Sequence, residues 1–281
     1  MNQVRVQDHA TIVILNCAFS WGTITDNAIT TEVNNDNHTT TKALRVRKTL
    51  LPAHSGVYVD AVRTALGAFY QYHTSRSYAT PIKGQRLMPV AFYPDYMERY
   101  GEAHAKANVA LDALVAGYPA AVEQAKLLLV DAFNAADYPD AEEIRNYFTL
   151  DVRFLPVPAG DHIMNALGAG VAANVDSFAT QIMDTAAADA KKRLRDAVAR
   201  MAERLAVKGS RLFTTMTDAI DELAETLPAL AGLTNDAELH RVIQEVKDTL
   251  TGYDPETFKK NDVVRSQVGA AAADILKRMG G

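Results

Sequence analysis

Apolar residues follow two rhythms along this chain, one suited to strands and one to helices. Between residues 11 and 33, β-branched side chains cluster in short runs: Thr-Ile-Val-Ile-Leu-Asn-Cys-Ala-Phe from Thr11 to Phe19, then a Thr- and Ile-rich run from Thr23 to Val33, with Trp21-Gly22 as a turn between them. They predict two strands. Residues 34–41 are too polar to pack and read as a loop or hairpin tip. Residues 42–51 alternate and predict a third strand, with Arg45 and Arg47 on one face and Val46 on the other.

Helical spacing begins after Ser55-Gly56, an N-cap signal, where Val59, Val62, Leu66 and Phe69 predict an amphipathic helix over 57–72 with Arg63 off its apolar stripe. Residues 72–94 are rich in Gly, Pro, Ser, Thr and aromatic residues, and read as a long ordered loop or a β-hairpin, the kind of segment that carries function. Helices follow over 95–115 and 119–133, separated at Gly117-Tyr118-Pro119, and a shorter one over 140–148 begins with Pro139 and three acids. Residues 150–158 predict a strand closed by prolines. From Asp161 the pattern is almost wholly helical, over 164–207 with an early interruption at Gly168-Ala-Gly170, then 210–226, 236–250 and 261–279. The fold class is therefore α+β: a small β-sheet with helices in the N-terminal half, then a mainly α-helical C-terminal half. A boundary near 160 separates a candidate nucleic-acid-binding domain, 1–160, from a helical domain, 161–281, whose apolar stripes suit packing and homo-oligomerisation.

Charge sharpens this outline. The 281 residues carry a net −5, yet residues 42–86 hold eight Lys/Arg against one acid, Asp60, a local +7 that leaves −12 for the remainder. Tyr58, Tyr70, Tyr72, Tyr78, Tyr93 and Tyr96, with Phe69 and Phe92, lie in or just beyond the same stretch. Cations beside aromatic faces hold a flexible polyanion with flat bases, the cation taking phosphate and the ring stacking on a base. The candidate DNA-binding set is Arg45, Arg47, Lys48, Arg63, Tyr70, Tyr72, His73, Arg76, Tyr78, Lys83 and Arg86. One acid among nine charges leaves these cations no local ion-pair partner. The later run Lys191-Lys192-Arg193-Leu194-Arg195 sits on a helix with acids at 196 and 203 and reads as a salt-bridged exposed face.

Other chemistry is poorly represented. The one cysteine, Cys17, permits neither an intrachain disulfide nor a thiolate metal cluster, and reads as a buried apolar residue in a cytoplasmic protein. There is no phosphate-binding glycine loop, no nucleophile elbow and no paired-histidine metal motif. Asp137, Asp140, Glu142 and Glu143 form the closest carboxylate cluster, but a helix start accounts for it. We expect no enzyme activity, no cofactor and no metal. No window approaches 18 uninterrupted apolar residues, so neither a signal peptide nor a membrane span is expected.

Five phrases together, Arg-Val-Arg-Lys-Thr-Leu-Leu-Pro (45–52), Tyr-Val-Asp-Ala-Val-Arg (58–63), Phe-Tyr-Gln-Tyr-His (69–73), Gly-Gln-Arg-Leu-Met-Pro (84–89) and Asp-Tyr-Pro (137–139), resemble the Drc family in layout over roughly residues 10–158. Drc proteins are early single-stranded-DNA-binding RNA polymerase cofactors of podophages that carry a virion RNA polymerase. The resemblance implies a non-enzymatic protein of the host cytoplasm, with a fold unlike the OB barrel, that binds single-stranded DNA and has a phage RNA polymerase as partner. Two rivals are a structural or adaptor protein that binds another protein through its helical half, and a metal-dependent phosphodiester-cleaving enzyme.

Overall fold

Asp26 starts the first departure from those expectations. The computed structural model describes residues 6–39, 43–51, 56–161, 168–234 and 236–280. After a short helix α1 (Val6–His9) and strand β1 (Ala10–Phe19), the second predicted strand shrinks to β2 (Thr23–Thr25), and helix α2 (Asn27–Asp36) replaces the rest. The Asp26 carboxylate accepts from Ile29 N at 3.0 Å, a side-chain cap that outweighs the β preference of Ile29, Thr30, Thr31 and Val33. Strand β3 is likewise short, Arg47–Thr49, and pairs antiparallel with β2, Ile24 opposite Lys48. The predicted N-cap Ser55, the loop residues Thr40 and Thr41, Lys42, and the helix start at Met164 lie outside the described residues.

The chain divides into two compact units that are interleaved in sequence: residues 1–14, 74–94 and 153–281 form unit 1, and residues 15–73 and 95–152 form unit 2. This division does not follow the boundary near 160. Helix α3 (Gly56–Arg76) buries Val59, Val62, Leu66, Phe69 and His73, the stripe expected from the sequence with one further turn. The segment that follows is a hairpin, β4 (Tyr78–Ala79) and β5 (Gln85–Pro89), antiparallel with Tyr78 opposite Leu87. Its turn passes through Gly84 at φ +85°, where glycine avoids the left-handed strain of other residues. The sheet order is β4-β5-β1-β6, with β6 at Phe148–Pro156 and β1 antiparallel to β5. Among the described residues this four-stranded sheet and the β2–β3 ribbon are not an OB barrel.

Helix α4 (Tyr93–Leu129) runs unbroken through Pro119, where two helices were expected. A proline inside a helix costs about 3 kcal/mol. Here Ala103, Ala107, Leu111, Leu114, Tyr118, Ala121 and Ala125 continue one buried face across the proline, which itself points to solvent, and that packing keeps the helix whole. By length and composition the stretch 90–132 could cross a membrane; 28% of its most apolar window is buried. The expected short helix at 140–148 is a 3₁₀ stretch, Ala141–Tyr147, capped by none of its own side chains.

Unit 1 is completed by helices α5 (Ala169–Ala206), α6 (Thr214–Thr234), α7 (Ala237–Thr249), α8 (Pro255–Lys260) and α9 (Asp262–Arg278). The long α5 packs most extensively on α9 and α6. Ala186, Ala190, Leu194, Ala197, Val198 and Met201 of α5 meet Leu227, Leu230, Ile243, Val246, Val268 and Ile275 in one core that also takes Ala10, Ile12, Tyr78 and Leu87 from the sheet. The apolar stripes of these helices are thus used within the unit, which removes the sequence argument for oligomerisation through them. The fold is α+β, with a small antiparallel sheet in the N-terminal half and a mainly helical C-terminal half.

Candidate nucleic-acid interface

The eleven candidate residues fall in both units, Arg45, Arg47, Lys48, Arg63, Tyr70, Tyr72 and His73 in unit 2 and Arg76, Tyr78, Lys83 and Arg86 in unit 1. Several are spent on holding the fold. Lys48 is buried, forming ion pairs with Asp137 at 2.6 Å and Asp26 at 3.5 Å and donating to Ala132 O at 2.9 Å. Burial alone would lower its pKa; the Asp137 and Asp26 carboxylates together outweigh that, and the ammonium is held above its ordinary range. His73 is buried with Nδ1 2.8 Å from the Tyr96 hydroxyl. Tyr72, half-buried, donates to the Asp95 carboxylate.

In unit 1, Tyr78 is fully buried, and its hydroxyl donates to Thr226 O at 3.4 Å. Arg86 donates from Nε to Ser77 Oγ at 2.8 Å and from Nη2 to Ser77 O at 2.6 Å, with Asp189 at 3.5 Å. Arg76 is half-buried with its guanidinium carbon 5.8 Å from the Phe92 ring centroid. Lys48, His73 and Tyr78 therefore leave the candidate set, because a ligand would have to displace buried partners to reach them. The charge argument fails for Lys48 and Arg86 in particular: their carboxylate partners, Asp137 and Asp189, lie 89 and 103 residues along the chain.

Arg45, Arg47, Arg63 and Tyr70 of the candidate set stay exposed in unit 2. Tyr70 is 56% exposed, and the Arg63 side chain 44%. They stand two turns apart on α3 with Gly67 between, and line a groove of about 250 Å³ against Cys17, Ala18 and Phe19 of β1, with Leu66 at its base. A methyl group on Gly67 would meet nothing within 4 Å, so the open floor follows from composition and not from crowding. Arg63 Nη2 donates to Trp21 O at 2.7 Å, which fixes the guanidinium, and Asp60 lies at 3.9 Å. Arg63 also lines a second hollow of about 200 Å³ together with Gly22, Thr49 and Val59. On β3, Arg47 shares the exposed face with Thr49 while Lys48 turns inward, and Arg45 is exposed two residues earlier. Lys83 is exposed on the β4–β5 turn of unit 1.

The groove offers cation and ring but no reactive group. Cys17 Sγ donates to Leu66 O at 3.6 Å, and burial raises its pKa, so the thiol stays protonated at neutral pH. Asp137 is committed to Lys48 and Glu142 to Arg145 at 3.0 Å. Among the described residues no group of three or more His, Cys, Asp or Glu side chains is placed to hold a metal ion.

Sequence reading missed another cation–ring cluster in unit 1, Arg200, Arg204, Arg211 and Phe213. Its traces were the i,i+4 arginines at 200 and 204 and the Arg-Leu-Phe at 211–213. The run 191–195, by contrast, is salt-bridged as expected: Lys191 to Asp236 at 2.7 Å, Lys192 to Asp196 at 3.2 Å, Arg193 to Asp189 at 2.6 Å. Comparison of the chain with family models, with curated proteins and with solved structures gives no match.

Proposed function

We propose that this protein binds single-stranded DNA without strong sequence preference through the unit 2 strip, Arg45 and Arg47 leading to Arg63 and Tyr70, and acts as a non-enzymatic cofactor of phage transcription. The observation that carries the reading is the pairing of an anchored guanidinium, Arg63, with an exposed ring, Tyr70, across the open floor at Gly67. Such a groove takes a phosphate at one end and a base face at the other. A protein that prefers the single strand shifts a duplex toward melting by differential affinity, which is what a polymerase needs at its template. The resemblance to the Drc family supplies the phage RNA polymerase as partner and the host cytoplasm as location.

Fluorescence anisotropy of labelled oligo-dT and the matching duplex across a salt series tests this. Three phosphate contacts at about −0.7 each give a log-log slope of about −2 for the single strand. Tyr70→Ala should cost about 1–3 kcal/mol of binding. Equal weak binding to both forms, unchanged in Tyr70→Ala and Arg47→Ala, would leave the adaptor reading, in which the helical half binds another protein.

A further inference from the structure

At the junction of α5 and α6 in unit 1, a cleft of about 320 Å³ is lined by Arg200, Arg204, Arg211, Phe213, Thr215 and Met216, with Glu203 its one acid. We propose that this cleft is a second site, taking a phosphate ester that carries an aromatic base. The proposal rests on these residues alone and stands apart from the unit 2 strip.

Three other arginines of the unit are paired with carboxylates. Arg86 and Arg193 share Asp189, and Arg278 pairs with Glu245 and Asp274. Arg200, Arg204 and Arg211 are exposed, and among the described residues none has a carboxylate within 4.0 Å. Arg200 Nε donates to Asp196 O at 3.1 Å, which orients its guanidinium and leaves both terminal nitrogens open. The backbone bearing the other two is tied down from below. The buried Arg265 donates to Leu205 O and Arg204 O, each at 3.0 Å, to Val207 O, and to Ser210 Oγ at 3.0 Å. Three guanidinium groups beside one carboxylate, a net local charge of +2, suit an anion with several oxygens, and the planar fork favours phosphate.

The ring defines the rest of the ligand. Phe213 is 53% exposed at the mouth of the cleft, where a base can stack on it. A larger cleft of about 510 Å³, lined by Lys191, Lys192 and Arg195, is the weaker candidate because Asp236, Glu238 and Asp196 already pair with both lysines.

The probe is N-methylanthraniloyl-ATP, followed by its fluorescence and competed with ATP, tripolyphosphate or oligo-dT. We expect binding that ATP displaces at least tenfold better than tripolyphosphate, that weakens about tenfold or more in Phe213→Ala and in the Arg204→Ala, Arg211→Ala double variant, and that Tyr70→Ala leaves unchanged. Displacement by oligo-dT, with weaker oligo-dT binding by the double variant in a Tyr70→Ala background, identifies the ester as part of a strand. Displacement by ATP alone identifies a free nucleotide. Equal competition by tripolyphosphate with full binding in Phe213→Ala reduces the cleft to a general polyanion patch and overturns the proposal, as does failure to bind the probe at low salt. All three variants alter exposed side chains, and a thermal melt confirms that they fold.

Discussion

Arg193 lies over the ring of Tyr78, its guanidinium carbon 5.3 Å from the ring centroid, while it donates to Thr74 O at 2.6 Å, Ser77 O at 3.0 Å and the Asp189 carboxylate at 2.6 Å. The cation–aromatic pair that composition assigns to a ligand is here completed inside the protein, with a helix 115 residues away supplying the cation. Arg193→Met should destabilise unit 1 by about 2–3 kcal/mol, because the Asp189 charge and two carbonyls lose donors together. Urea unfolding measures this. Single-strand affinity of the folded variant should not change.

Lys48 and Arg47 are neighbours in sequence with opposite expected phenotypes. Lys48→Ala should cost unit 2 about 3 kcal/mol by leaving two carboxylates without their shared cation. Arg47→Ala should cost under about 0.5 kcal/mol of stability and reduce the salt slope of oligo-dT binding by about 0.7. Denaturant midpoints and anisotropy on the same two variants decide between them. A stable Lys48→Ala protein would contradict the ion-pair assignment.

Gly67 separates stability from binding in one substitution. Gly67→Ala should stabilise α3 by about 0.5–1 kcal/mol, as a helix-interior glycine replaced by alanine. The added methyl enters the groove floor beside Tyr70, so affinity for oligo-dT should fall even as the melting temperature rises. Parallel gains in both would mean that the strand does not lie on that floor.

Alkaline pH tests the buried phenols. Burial raises the Tyr78 and Tyr118 pKa to about 12, and that of Tyr96 further still. A raised pKa means that the folded state favours the neutral phenol. The stability this provides is full below the ordinary tyrosine value near 10 and is lost as pH rises from about 10 to 12. Absorbance at 295 nm should show Tyr78, Tyr96 and Tyr118 ionising only together with unfolding, well above pH 10. Complete ionisation at pH 10.5 with retained circular dichroism would overturn this.

Buried Arg265 should be the costliest single cation to remove from unit 1. It closes the C-terminal end of α5 with donors to three carbonyls and a hydroxyl, with the helix dipole in its favour. Arg265→Met should lower stability by about 3 kcal/mol and, by loosening 204–210, weaken nucleotide binding at the Arg204–Arg211 cleft.

Helices with an uninterrupted apolar period were legible in the sequence: α7 and α9 fall within two residues of their expected bounds, because Leu239, Val242, Ile243 and Val246 or Val268, Ala272 and Ile275 mark a single buried face. Local propensity misled where a single polar contact or a long packed face decided the outcome, at Asp26 for α2 and at Pro119 for α4. The candidate site was half legible. Arg45, Arg47, Arg63 and Tyr70, singled out by residue type, are exposed, but counting acids along the chain could not reveal that Asp137 and Asp189 return in space to Lys48 and Arg86.

The interleaving of the two units sets an order of assembly on the ribosome. All of unit 2 has been synthesised once residue 152 is made, whereas the first strand of unit 1 must wait for the helices at its other end. At about 5–20 residues per second the remaining 129 residues take about 6–26 s. During that interval Ala10, Ile12, Tyr78 and Leu87 have no helical core to enter. The nascent chain thus has a finished unit 2 while its other unit is an open sheet, and that sheet is the surface a chaperone would meet first.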